Sequence, residues 1–98
     1  MKRHGCRGTR IYRIWKSMRS RCNSPHDTDF RWYGAKGVSV CEEWKSFPAF
    51  RVWALENGYT DKLTIDRINP YGNYEPGNCR WATMEEQRRN TRKRYLAA

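Results

Sequence analysis

A chain of 98 residues has room for one modest core. Its 20 Lys and Arg against 10 Asp and Glu leave a net charge of +10 and a pI near 9.9. No long apolar run occurs and no apolar stretch follows the basic start Met1-Lys2-Arg3, which argues against a membrane span or a secretory signal.

The charge points to phosphate. Each Lys or Arg set against a phosphate releases condensed counterions, so a basic face binds nucleic acid with an affinity that falls with salt. Anionic lipid is the competing partner, but neither an amphipathic anchor nor a lipidation motif is visible. Double-stranded DNA is the expected partner, with no membrane. Cys6, Cys22, Cys41 and Cys79 stand singly, as in proteins of a reducing cytoplasm. Five Trp, six Tyr and three Phe supply most of the large apolar area, so aromatics should build the core.

In chain order, residues 1–8 read as a flexible basic arm and 9–98 as one domain. Thr9 can cap a helix in which Ile11, Trp15, Met18 and Cys22 share a face. Arg10, Arg13, Lys16, Arg19 and Arg21 lie off that face, where they can meet phosphate. Asn23 to Asp29 is a turn-rich break. Phe30 to Trp44 mixes aromatic, glycine and β-branched residues, with Val38-Ser39-Val40 as its clearest strand and Gly34 and Gly37 bracketing a turn. Ser46 precedes a second amphipathic helix with Phe47, Phe50, Trp53 and Ala54 on one face, stopped by Asn57-Gly58. Leu63 to Asp66 reads as a strand, Asn69 to Asn78 as a turn-rich loop, and Cys79 to Ala82 as the returning strand. Thr83-Met84-Glu85-Glu86 is a capping box that opens a last helix through about Tyr95. The fold class is therefore α+β: an N-terminal helix, short strands, a middle helix and a C-terminal ββα unit over about 63–95.

That last unit, through Ile65-Asp66-Arg67-Ile68, Gly72-Asn73, Asn78-Cys79-Arg80-Trp81-Ala82-Thr83 and the helix with Gln87 and Asn90, resembles the ββα metal finger of HNH nucleases. The segments His4-Gly5, Arg21-Cys22-Asn23, Tyr33-Gly34, Val40-Cys41 and Trp44, together with the finger, are also similar to small phage and prophage proteins, which implies a bacterial host cytoplasm.

In the nuclease family a divalent metal lies between a strand carboxylate and a helix side chain, a histidine deprotonates water, and an asparagine orients it. The resemblance assigns the carboxylate to Asp66, where Mg or Mn would bind, and the orienting amide to Asn78. Two positions depart. Arg67 stands where the family has its histidine and cannot accept a proton at neutral pH, and Gln87 stands where the helix has its ligand. The expectation is DNA binding on a degenerate finger, mainly through the backbone, with Arg67 on a phosphate. Asn73, Arg80, Gln87, Arg88, Arg89, Asn90, Arg92, Lys93 and Arg94 complete the expected nucleic-acid surface, five of these cations falling between 88 and 94. Gln87 and Asn90 have the chemistry to read adenine edges.

Other readings stay open. Asp66 and Arg67 can be surface ion pairs, and Asn73 and Asn78 are residues that turns favour. His4, Cys22, Cys41 and Cys79 form one candidate zinc set, against the commoner role of lone cysteines as small buried apolar groups. Trp32 and Tyr33 are candidates for base stacking. A working nicking endonuclease would need His26 or His4 to replace the missing base, and an inhibitor or adaptor of a host nucleic-acid enzyme would use the same basic face on an acidic protein.

Overall fold

The structure is a computed structural model and describes residues 8–89. His4, Asn90, Arg92, Lys93 and Arg94, named above as candidates, lie outside the described residues, as does most of the basic arm.

Helix α1 spans Arg10–Asn23, and the Thr9 hydroxyl accepts a hydrogen bond from the Tyr12 amide at its start. Ile11, Trp15, Met18 and Cys22 are buried, as the 3.6-residue period requires. Ser24 closes the helix by donating its amide to Ser20, and Pro25 follows where the helix cannot continue.

The strand expected at Val38 to Val40 does not form. Short 3₁₀ turns occupy Phe30–Trp32, Gly34–Lys36 and Glu42–Lys45, and Val40 makes a single parallel bridge to Tyr74. Gly34 explains part of this. It sits so close to the Phe30 ring and the Cys22 carbonyl that a Cβ would collide with both, while Gly37 adopts φ 88°, a left-handed turn conformation. The backbone is thereby spent on local bonds, Gly37 N to Gly34 O and Val38 N to Tyr33 O. Only Ser39 to Cys41 remain to pair with the loop at 73–74.

Helix α2 spans Phe47–Glu56, capped by the Ser46 hydroxyl, with Pro48 in its first turn. Gly58 at φ 88° and the Asn57 side chain, which donates to the Trp53 carbonyl, end it. Strand β1, Thr64–Arg67, starts one residue later than its sequence pattern suggests and pairs antiparallel with β2, Cys79–Ala82. Ile65 faces Trp81, Asp66 faces Arg80, and Arg67 faces Cys79 across the pair. The capping box forms as expected: the Thr83 amide donates to Glu86 Oε1 at 2.8 Å and the Glu86 amide to Thr83 Oγ1 at 3.0 Å. Residues 84–89 are helical, here called α3.

The architecture is a small α+β fold of helices, 3₁₀ turns and a two-stranded antiparallel sheet. Its core is aromatic. Trp44, Phe50 and Met18 are fully buried, with Trp44 4.6 Å from Trp53 and 5.0 Å from Phe50 between ring centroids. The Trp15 indole N–H donates to the Trp44 carbonyl at 2.8 Å, joining α1 to the turn before α2. Trp81 carries the sheet onto the same cluster, 5.7 Å from Trp53 and 4.9 Å from Tyr59. Among the described residues no helix is long and apolar enough to cross a membrane.

Because Trp44 fills the centre of this cluster, Trp44→Ala is expected to lower the unfolding free energy by about 3–5 kcal/mol. Urea denaturation followed by far-UV circular dichroism measures it, and a loss below about 1 kcal/mol would place the centre of the core elsewhere.

Candidate nucleic-acid interface

The four side chains aligned with the nuclease frame are each engaged by a different partner. Side chains alternate along a strand, so Asp66 and Arg67 leave opposite faces of β1. Asp66 is only 3% exposed, and Arg80, directly across the sheet, donates its Nε to Asp66 Oδ2 at 3.2 Å. Arg67 points to the other side. Its Nη1 donates to the Gly72 carbonyl at 2.8 Å, and its guanidinium lies 5.0 Å from the Tyr33 ring and 5.1 Å from the Tyr74 ring.

Asn78 serves the loop instead of Arg67. Its Oδ1 accepts from the Asn69 amide, and its Nδ2 donates to the carbonyls of Asn69 and Asn73 at 3.1 and 2.9 Å. Gly72 packs so closely that a Cβ would stand 2.7 Å from that amide nitrogen. Asn73 in turn accepts from the Ser39 amide at 2.9 Å. Gln87 donates its side-chain amide to the Ile65 carbonyl at 3.1 Å, fastening α3 to β1.

A different set of residues converges. A cleft of about 370 Å³ opens between α1, β1 and α3, lined by Arg10, Arg13, Arg21, Tyr33, Tyr74 and Gln87 among others. Arg10, Ile14, Ser17 and Arg21 recur at helical spacing along α1, one position before the buried stripe, so the helix presents a core face and a cleft face side by side. Asp29 contributes a carboxylate to the lining.

Arg10 Nη1 donates to the Tyr59 hydroxyl at 3.3 Å, and Arg13 Nη1 donates to the Gly8 carbonyl. Arg21 reaches furthest in. Its Nη2 donates to the Tyr74 hydroxyl at 3.0 Å, its guanidinium lies 5.0 Å from the Tyr33 ring, and its buried Nε has no acceptor. Burial works against the Arg21 charge, but its interactions with Tyr74, Tyr33 and Cys22 together raise its pKa. Among the described residues the ion pairs are Lys45 with Glu42, Arg80 with Asp66 and Arg89 with Glu85, and none involves an arginine of the cleft.

The remaining candidates are spread out. Lys16 is exposed beside the cleft face of α1, and Arg88 and Arg89 are exposed on α3. Trp32 is 53% exposed, with Arg31 and Lys36 each near its ring at 5.1 and 5.2 Å. Tyr33, its expected companion in base stacking, turns inward against Tyr74 at 6.2 Å. His26 is exposed in the turn after α1.

Cys22 and Cys79 are buried, Cys41 is partly buried, and all three are free thiols. Burial pushes the Cys79 thiol up to about 12 and those of Cys22 and Cys41 upward. Among the described residues no three His, Cys, Asp or Glu side chains are grouped as metal ligands.

Sequence reasoning did not single out Tyr74 or join Arg21 to it. The available signal was weak: Arg21 stands next to the apolar Cys22 on the last turn of α1, and Tyr74 is an aromatic residue inside a loop of turn formers. Comparison with protein-family models, with curated proteins and with solved structures finds no match.

Burial also raises the Tyr74 phenol from its ordinary 10.0 to about 12, as it raises the Cys79 thiol from 9.0 to about 12. Both groups are neutral when protonated, so the stability they contribute is fully present below their unfolded pKa values and lost as pH rises through the folded ones. The urea midpoint is expected to hold up to pH 9 and then fall between pH 9 and 12. In Tyr74→Phe the decline above pH 10 should be shallower; an identical decline would remove Tyr74 as its cause.

Proposed function

We propose that this protein is a small nucleic-acid-binding module that rests on the DNA backbone with α1 and α3 either side of the basic cleft. The observation that carries this reading is the convergence of Arg10, Arg13 and Arg21 on one cleft, with none of them ion-paired to a carboxylate among the described residues. Guanidinium groups held this way favour phosphate oxygens, which they bind with paired, charge-assisted hydrogen bonds. Lys16 and Arg88 extend the basic surface.

The order β1, loop, β2 and capped α3 supports the reading of the C-terminal half as a degenerate HNH-type finger of a phage-type protein. In this reading the finger has become a scaffold. Arg67 cannot act as a base, its guanidinium is held by Gly72 and two tyrosines, the Asp66 charge is met by Arg80, and Gln87 fastens the helix. Binding then needs no divalent metal, and strand cleavage is not part of the function.

Gel-shift titration of supercoiled plasmid tests both statements. Affinity should fall at least about tenfold between 50 and 200 mM salt. It should also be unchanged by EDTA and fall at least about tenfold in Arg10→Glu/Arg13→Glu. Wild-type binding by that double variant would remove the cleft from the interface. Nicking in Mg²⁺ or Mn²⁺ that disappears in Asp66→Ala would replace the binding module with an endonuclease.

A further inference from the structure

Duplex backbone contacts explain the rim of the cleft but not its inner end. Arg13 is exposed, whereas Arg10 and Arg21 are each partly buried and the Arg21 Nε is sealed from solvent. A charge this enclosed normally has a carboxylate against it, because removing an ion from water without compensation is unfavourable. Arg21 has in contact one phenol hydroxyl and the faces of two tyrosine rings, while the Asp27 carboxylate bears on it without forming an ion pair. Arg67 sits over the same two rings from β1, also without a carboxylate partner, and both guanidinium groups bear on the Cys22 thiol. The inner end of the cleft is thus a cationic site built on a stacked tyrosine pair, with no carboxylate ion-paired to its guanidinium groups among the described residues.

Its size and charge narrow the ligand. A volume near 370 Å³ falls in the range of small-molecule sites and is sufficient for one nucleotide. The three arginines of the lining against the single carboxylate of Asp29 leave two positive charges. A phosphodiester carries one negative charge, while a terminal phosphomonoester carries about two at neutral pH. A phosphate inside a continuous duplex is also kept at the helix surface by its neighbours, whereas a strand end can enter a cleft.

We propose that the inner end of the cleft, at Arg21 beside the Tyr33–Tyr74 pair, is a seat for a nucleotide phosphomonoester presented as the phosphorylated end of a nucleic-acid strand. The proposal rests on the nucleic-acid reading above and adds to it the class of structure recognised. Arg21 holds the phosphate, Arg10 and Arg13 close over it from α1, and Tyr74 fixes the Arg21 guanidinium by accepting its Nη2 hydrogen bond.

The test uses the full chain, labelled with ¹⁵N at arginine, and single-stranded oligonucleotides of one sequence ending in a 5′-phosphate, a 3′-phosphate or hydroxyls only. Fluorescence anisotropy should show one phosphorylated form binding at least about tenfold more tightly than the hydroxyl-ended form. The Arg21 Nε–H resonance should shift with that oligonucleotide. Arg21→Gln should reduce the preference to about one, while Arg21→Lys, which keeps the charge, should retain part of it. Equal affinity for all three oligonucleotides, or an Arg21 resonance that does not move, overturns the proposal. AMP binding as tightly as the phosphorylated oligonucleotide overturns the strand-end form of it and assigns the seat to free nucleotide. If plasmid is not bound but the Arg21 resonance shifts with the phosphorylated oligonucleotide, the backbone-binding reading fails and the seat stands.

Discussion

The hydrogen bond from Arg21 to the Tyr74 hydroxyl organises the basic side of this protein. Tyr74 is 3% exposed and belongs to the loop between β1 and β2, while Arg21 lies on the last turn of α1. The bond therefore ties the N-terminal helix to the C-terminal strand pair over a sequence separation of 53 residues. The same tyrosine donates its amide to Ser39 and accepts from the Cys41 amide, so the irregular segment after Gly37 is held by it as well. Removing water from a phenol and a guanidinium together is tolerable because each answers the other.

This arrangement has an electrostatic consequence. A hydrogen bond to a neutral phenol satisfies a donor without neutralising a charge, so Arg21 is positioned but remains fully cationic. Arg67 is treated alike, bonded to a carbonyl and stacked on aromatic faces. Elsewhere the fold does use carboxylates, as at Arg80 with Asp66. The cations around the cleft are held by groups that leave their charge available, which is the condition for an anion to bind them with gain.

The strand pair and its loop are held together by polar side chains that bond to backbone and to one another. Asn78 clamps the loop through three hydrogen bonds to backbone groups, Gln87 docks α3, and Asp66 joins the two strands through Arg80. Each is a polar side chain answering a nearby group that would otherwise go unpaired, so the loop keeps its shape with little apolar burial of its own. The apolar stability comes from the aromatic cluster around Trp44, to which the sheet is joined by Trp81.

Local sequence was sufficient wherever the determining interactions are local. The Thr9 cap and the spacing of Ile11, Trp15, Met18 and Cys22 specify α1; Ser46, Pro48 and Asn57-Gly58 bound α2; Thr83 and Glu86 form their capping box. The aromatic core and the basic character of the surface were likewise legible, because burial and charge follow residue type. The strand expected at Val38 to Val40 failed because β structure needs a partner, and Gly34 and Gly37 had already committed the adjoining backbone to local turns. The grouping of Arg21, Arg67, Tyr33 and Tyr74 was invisible for the same reason. These residues come from four separate segments, and only the packing of α1 against the β1–β2 loop decides that two guanidinium groups share one pair of rings. Sequence alone determined that the chain carries many cations; tertiary structure decided which of them are left without a counter-charge, because a counter-charge depends on distance in space and not on order in the chain.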